Sequence, residues 1–237
     1  MNIKIPYTPR KHQSYLHQQI NRYRWSVLVC HRRFGKTVCM INHLIRSALM
    51  SKLKNPRFAY IAPTFKQAKS IAWDYMKQFT AKIPNTKFNE TELRVDLPNG
   101  ARITLLGSES PDGLRGRYLD SCVIDEYANV NSKLIPEIIR PALSDRKGYC
   151  VFIGTPMGMN NNFYELYQHS QGAEDWFNYK AKASDTKIVD NDELVKAKEV
   201  MGEKKYQQEF ECDWIANIEG AVYGDVIAKL DDDKQLT

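Results

Sequence analysis

The 237-residue sequence predicts an α/β fold, a mostly parallel central sheet with helices on its faces. Three observations carry this. Short β-type apolar runs recur at Trp25 to Val29, Arg57 to Ala62, Leu119 to Ile124 and Tyr149 to Ile153. Stretches between them repeat apolar residues at helical spacing. The first run passes straight through Cys30-His31-Arg32-Arg33-Phe34-Gly35-Lys36-Thr37 into such a helix. Strand, tight loop ending in Gly-Lys-Thr, then helix is the context a phosphate-binding P-loop requires.

Taken in order, Tyr7-Thr8-Pro9-Arg10-Lys11-His12-Gln13 leads into an amphipathic helix bearing Tyr15, Leu16, Gln19 and Ile20. Gln13 has the paired donor and acceptor that can read an adenine edge; a surface glutamine at a helix start is the other reading. After the Gly-Lys-Thr loop, Val38, Ile41, Leu44, Ile45, Ala48 and Leu49 form one helical stripe. Backbone N–H groups at the start of that helix, and its dipole, favour phosphate. Lys36 would reach the β- and γ-phosphates of a bound ATP, and the Thr37 hydroxyl would ligate Mg²⁺. The first glycine of the pattern G-x-x-x-x-G-K-[ST] is Cys30 here.

Pro63-Thr64 ends the second strand, and Phe65 to Phe79 reads as one helix with Ala68, Ile71, Ala72, Tyr75 and Phe79 inward. Glu92 to Leu97, Pro98-Asn99-Gly100, then Arg102 to Leu106 is a hairpin signature, with Asn-Gly suited to a type I′ turn. It reads as an antiparallel insertion among parallel strands. A loop from Gly107 to Arg117 contains Pro111, Asp112 and Arg115 and feeds the strand Leu119 to Ile124. That strand ends in Asp125-Glu126. Two carboxylates at the tip of a buried strand are costly unless a cation meets them. Asp125 is expected to hold Mg²⁺ through its water shell, and Glu126 to orient and polarise an attacking water. Tyr149 to Ile153 ends in Gly154-Thr155-Pro156, where Thr155 could sense the γ-phosphate or the water; a plain strand-terminating turn is the alternative.

Beyond Gly158 a short helix starts at Phe163, and Trp176 to Ala181 is a further strand. Asp190 with Glu193 resembles a capping box opening a helix through Val200, and Glu203 to Trp214 reads as another helix. From Ile215 onward the sequence is polar and acidic, and Asp231-Asp232-Asp233 reads as a solvated tail.

Composition is that of a globular chain, 43% hydrophobic and 26% charged. No apolar run reaches membrane-span length, and the N-terminal residues contain no apolar stretch of signal-peptide length. Five cysteines without paired spacing fit neither a disulfide framework nor a zinc site. Of the 34 Lys+Arg and 28 Asp+Glu, 21 and 6 fall at or before Tyr118, a local net of +15, leaving 13 and 22, a net of −9. So basic an N-terminal half suits a polyanionic partner, or else a solvated basic face.

The series Gln13, Arg32-Arg33-Phe34-Gly35-Lys36-Thr37, Leu114-Arg115-Gly116, Val123-Ile124-Asp125-Glu126 and Gly154-Thr155-Pro156 resembles the ATPase domain of the terminase large subunit, the DNA-packaging motor of tailed bacteriophages. Lys205-Tyr206-Gln207-Gln208-Glu209-Phe210-Glu211 is similar to the end of that domain. The likeness runs from about Pro6 to Trp214. The family's loop reads Arg-(Arg or Ser)-x-Gly-Lys-(Ser or Thr) and tolerates loss of the first glycine, so Cys30 fits.

The resemblance implies a RecA-like P-loop core over residues 1–175, a small lid over 176–214, and a linker over 215–237 toward a nuclease domain. Ala221-Val222-Tyr223-Gly224 is similar to the start of that nuclease, whose carboxylates the chain lacks; the chain as given is expected to hydrolyse ATP and not to cut DNA. The resemblance places Arg32 near the phosphates in cis, Arg33 and Gly35 in the nucleotide loop, and Arg115 as a finger reaching the neighbouring subunit of a ring. It implies Mg-ATP as cofactor and double-stranded DNA, the portal protein and the small terminase subunit as partners. The location implied is the host cytoplasm, transiently at the procapsid portal vertex. Lys66, Lys69, Arg94 and Arg102 are the expected DNA contacts, from helix and hairpin placement alone. Two other classes share Gly-Lys-Thr and Asp-Glu: a helicase or repair ATPase, which needs a second lobe, and a DNA-binding module that holds ATP without hydrolysing it.

Overall fold

The computed structural model of the chain describes residues 4–110 and 114–215. Pro111, Asp112, the linker beyond Ile215 and Asp231-Asp232-Asp233 lie outside the described residues.

The strands are β1 (Trp25–Cys30), β2 (Arg57–Ala62), β3 (Lys87–Asn89), β4 (Arg94–Asp96), β5 (Arg102–Gly107), β6 (Ser121–Ile124), β7 (Tyr149–Gly154) and β8 (Trp176–Ala181). They form one eight-stranded sheet in the order β3-β4-β5-β2-β6-β7-β1-β8. Pairing is parallel from β5 across to β8 and antiparallel at the β3-β4-β5 edge. The expected α/β fold with a mostly parallel sheet is therefore present.

Alternation along each strand divides the core into two layers. Leu28, Tyr60, Ile103, Val123 and Val151 face one layer, which holds α1 (Lys11–Ile20), α2 (Lys36–Met50), α3 (Phe65–Ala68) and α4 (Asp74–Thr80). Val27, Ala59, Ile61, Ile124 and Phe152 face the other, toward α5 (Arg140–Ser144) and α6 (Asn162–Ser170). Helix α2 is buried on more than the expected stripe, with Met40, Asn42 and His43 also inside, because it lies between the sheet and α1. All five cysteines are buried and free.

Several sequence expectations need correction. The stretch from Phe65 to Phe79 is not one α-helix: a π-helical turn at Lys69–Trp73 separates α3 from α4. The wider turn rotates the face that follows it. Trp73 and Met76 take the inward positions, and Ile71 and Tyr75 are each 40% exposed. The expected antiparallel hairpin is present as β4 and β5, and β5 also pairs parallel with β2. Its turn is not type I′. Gly100 N donates to Leu97 O and Leu97 N to Ala101 O, and positive φ falls on Gly100 (83°) but not on Asn99. That is a three-residue loop with glycine in the left-handed position, consistent with Pro98 holding its φ negative.

Third, Trp176–Ala181 is not part of a lid. It is β8, an edge strand in register with β1 from Trp25↔Trp176 to Cys30↔Ala181. Packing of Phe177 against Tyr15 and Tyr23, with the ladder to β1, draws it into the core sheet. Beyond it, α7 (Ala183–Thr186), α8 (Asn191–Met201) and α9 (Glu203–Phe210) gather around a small cluster of Ala183, Leu194 and Phe210. Last, Asp190 stands before α8 with extended backbone but makes no side-chain cap bond, and α9 stops at Phe210, short of Trp214.

Candidate active site

In an open parallel sheet, loops at the carboxyl ends of the strands meet at one rim. Here β1 delivers the Gly-Lys-Thr loop, β6 delivers Asp125-Glu126, and β7, lying between them, delivers Gly154-Thr155. The loop needs unusual backbone. Arg33 has φ 70° and Gly35 φ 86°. An added Cβ on Gly35 would stand 2.9 Å from Gln13 Nε2, the movable end of a side chain, so it is the conformation that requires glycine.

The polar groups of these three tips converge. Lys36 Nζ donates to Thr155 Oγ1 at 2.9 Å and lies 3.9 Å from Glu126 Oε1. The Thr155 hydroxyl in turn donates to Cys30 O at 3.3 Å. Thr37 Oγ1 donates to Asp125 Oδ2 at 3.3 Å, and Glu126 N donates to Asp125 Oδ1 at 2.8 Å. Asp125 is 3% exposed. Glu126 is held at φ 47°, a left-handed conformation that costs a non-glycine residue about 1–2 kcal/mol. Such strain gathers at functional sites. Burial pushes the Glu126 carboxyl above its ordinary pKa; nearby Lys36 opposes the shift and the charge of Asp125 reinforces it.

Gln13 is no surface residue. It is buried, its Nε2 donates to Gly35 O at 3.3 Å, and its Oε1 accepts from Arg10 N at 3.0 Å. Arg10, which the sequence did not single out, donates through Nη1 to Phe34 O at 3.2 Å. Helix α1 thus braces the loop from outside.

The segment after β8 grips the same loop. His31 is fully buried; its Nδ1 lies 2.6 Å from Arg32 O and its Nε2 2.8 Å from Thr186 Oγ1. A carbonyl only accepts, so Nδ1 carries the proton and Nε2 accepts from the threonine. Burial lowers the His31 pKa and keeps the ring neutral. Arg32 N donates to Glu209 O at 2.7 Å, and the Arg32 guanidinium lies 3.8 Å from the Glu209 carboxylate. Gln208 Nε2 donates to Pro156 O. The sequence does not single out Thr186, Gln208 and Glu209 as loop partners, because no local spacing connects them to it.

Arg32 and Arg33 are exposed at the loop. Arg115 is placed elsewhere. It precedes β6, on the side of Tyr118 and Asp120, whereas Asp125 follows β6; its Nη2 pairs with Glu137 Oε2 at 3.0 Å. Of the expected DNA contacts, Lys66 and Lys69 are exposed on α3 and the turn after it, but Arg94 and Arg102 are both ion-paired to Asp96.

The fold is similar to solved viral ATPase structures. The large terminase ATPase domain of Thermus phage P74-26 superposes with a TM-score of 0.75 at 21% identity, covering 89% of this chain and 96% of that one. The large terminase of a thermophilic bacteriophage, solved with ADP, gives 0.75 at 14% identity over 88% of this chain and 54% of that one. In sequence, the large terminase subunit of Thermus phage G20c is 30% identical over 126 residues, 45% of this chain and 26% of the relative. The chain therefore spans about a quarter of the curated relatives it matches. A family model described as terminase large subunit, T4likevirus-type, N-terminal, matches residues 29–225, and the chain belongs to that terminase large subunit family.

Proposed function

We propose that this chain binds Mg-ATP, hydrolyses it, and uses the hydrolysis to drive double-stranded DNA into a viral procapsid. One observation carries the chemistry. Lys36, Thr37, Asp125, Glu126 and Thr155 meet at the rim of one sheet, with Lys36 between a hydroxyl and a carboxylate. The thermophilic-phage terminase, solved with ADP and with ATP-γ-S, supports a nucleotide ligand for this fold.

The donor set fits Mg²⁺. One hydroxyl and one buried carboxylate, Thr37 Oγ1 and Asp125 Oδ2, stand 3.3 Å apart. Magnesium takes few protein ligands and completes its shell with phosphate oxygens and water. When bound, it neutralises charge on the β- and γ-phosphate oxygens. The protein groups do the rest. Lys36 exchanges its contact with Glu126 for the phosphates, and Gly35 with the start of α2 offers backbone N–H groups. Glu126, released, accepts a hydrogen bond from the attacking water and polarises it. Thr155 touches Lys36, and the next residue, Pro156, is held by Gln208, so the state of the loop is felt by α9. Arg32 would give up its contact with Glu209 to meet the phosphates in cis, Arg33 would flank it, and Gln13 would hold the loop on the adenine side.

Arg115 acts on a neighbour's nucleotide in a ring. It leaves its own β6 at the end away from Asp125, which suits reach to the next subunit better than return to its own site. The ring would sit on the portal protein, with the small terminase subunit presenting DNA, in the host cytoplasm and transiently at the procapsid vertex. DNA is held by phosphate contacts without base readout, as sliding demands. Glu126→Gln tests the core of this reading. It should keep nucleotide affinity by calorimetry and lose about 10²–10⁴-fold in ATP turnover. Wild-type turnover in the variant would assign the water-activating role elsewhere.

A further inference from the structure

Tyr60 is the one phenol in the otherwise apolar part of β2, Phe58-Ala59-Tyr60-Ile61-Ala62. It is 1% exposed, and its hydroxyl donates to Asp125 Oδ2. The register explains the reach. Tyr60 is paired with Val123 across the β2–β6 ladder, and Asp125 lies two residues further on, on the same face. Diagonal neighbours of this kind are within range of a long side chain. Asp125 N also donates to Ile61 O at 2.8 Å, so β2 holds both the backbone and the carboxylate of Asp125.

We infer that Tyr60 is a positioning residue for the metal: its hydroxyl fixes the Asp125 carboxylate in the orientation that shares a divalent cation with Thr37. The inference rests on the Mg²⁺ reading proposed above. Oδ2 accepts from both Tyr60 and Thr37, while Oδ1 accepts from Glu126 N. A threonine hydroxyl that gives a lone pair to a cation can still donate its O–H to Oδ2, so Tyr60 and Thr37 together hold that oxygen from two sides. A phenol suits the task because it presents one O–H donor on a ring fixed by the packed core. A charge-assisted bond from a rigid ring in a packed core holds a carboxylate rotamer better than water would. Partners of this outer kind are commonly worth 10–100-fold in metal affinity or activity.

The test is Tyr60→Phe, which removes one oxygen and keeps the ring. Tyr149→Phe is the control: that phenol, half-buried at the start of β7, also packs against the sheet core but pairs with Ser47 Oγ at 2.7 Å. Calorimetry with ADP in Mg²⁺ and with ADP in EDTA separates metal from nucleotide, and the Mg²⁺ concentration for half-maximal ATPase gives a second measure. Tyr60→Phe should raise half-saturating Mg²⁺ by about 10-fold or more and weaken ADP binding only in Mg²⁺. Tyr149→Phe should leave both at wild type. A Tyr60→Phe protein that melts lower yet keeps wild-type Mg²⁺ half-saturation would make the hydroxyl merely structural and overturn the inference alone. If wild-type protein binds ADP equally with and without Mg²⁺, the metal reading itself falls, and this inference with it.

Discussion

At the amino ends of β2, β5 and β6, Asp120 accepts from Arg57 N at 2.6 Å and lies 3.3 Å from Arg146 Nη1, while Asp96 accepts from Arg102 Nε at 2.6 Å and Arg94 Nε at 3.0 Å. At the carboxyl ends of β1, β6 and β7, Lys36 stands 3.9 Å from Glu126 and Thr37 3.3 Å from Asp125, with Arg33, Gly35 and Glu126 all at positive φ. The two rims hold similar residues. One has closed its charges into short pairs. The other keeps its lysine and glutamate 3.9 Å apart. Positive φ does not separate them, since Asn55, Leu93 and Lys147 carry it beside the paired rim. The difference teaches that a cluster of charge is not a site by itself. Charge left at longer range is what a ligand can complete.

Arg115 is the sharpest challenge to this contrast, since it belongs to the paired rim and yet is proposed to act on a nucleotide. Its pair with Glu137 is exposed on both sides, 57% and 44%, and pairs of that kind contribute about 0–1 kcal/mol. Giving it up costs little. Arg115→Ala should bind ATP normally and, in the assembled ring, lose about 10³–10⁵-fold in turnover. Mixing Arg115→Ala with Glu126→Gln should return part of the activity, because some interfaces then pair an intact Glu126 with an intact Arg115. If wild-type activity per subunit does not depend on protein concentration, and Arg115→Ala is as slow as wild type, the charge comes from Arg32 in cis.

Glu126 gives the next effect, through pH. Its pKa is raised above the usual carboxylate value, and the proposed role needs the ionised form. Turnover should therefore fall on the acid side with a midpoint above the ordinary glutamate range. The stability contribution of this group runs the other way. An acid whose pKa is higher in the folded state favours folding once protonated, so its contribution grows as pH falls through the raised pKa. Loss of turnover without loss of tertiary near-UV circular dichroism in that window is the expected result. An acid limb at the ordinary carboxylate position would remove Glu126 as the titrating group.

On the other rim the matched change is Asp120→Ala. It strips a buried acceptor from Arg57 N and Arg146, which should cost about 1–3 kcal/mol in urea unfolding. ATP affinity and turnover should stay at wild type. A large fall in turnover with little loss of stability would break the division between the rims.

How far these rims could be read in the sequence depends on distance along the chain. The Gly-Lys-Thr loop and Asp125-Glu126 declare themselves locally, because each is a polar tip on an apolar strand. Gly35 follows from the same pattern. The π-helical turn that exposes Ile71 and Tyr75 carries no helical-period signature, so the inward face was read as continuous. Trp176–Ala181 is legible as a strand, but its place beside β1 is a tertiary choice that no local pattern encodes. Tyr60 hides in an aliphatic run where an aromatic is ordinary β filling. Gln13 could be seen as a candidate, whereas its burial against Gly35 required α1 to be placed first.

The smallest expected effects concern DNA, and they test whether pairing rather than charge count decides what binds. Binding to a duplex should be indifferent to sequence and should weaken steeply with salt, as phosphate contacts release counterions. Lys66 and Lys69 are exposed, whereas Arg94 and Arg102 share Asp96. A side chain that already neutralises a carboxylate must break that pair before it neutralises a phosphate. Lys66→Ala and Lys69→Ala should therefore each reduce the slope of log affinity against log salt by about 1, and Arg94→Ala and Arg102→Ala by less. Fluorescence anisotropy with two short duplexes of unrelated sequence measures all four. Equal losses for lysines and arginines would show that Asp96 yields its partners to DNA. A slope near zero in the wild type would remove DNA as the polyanion that the basic N-terminal half is built to meet.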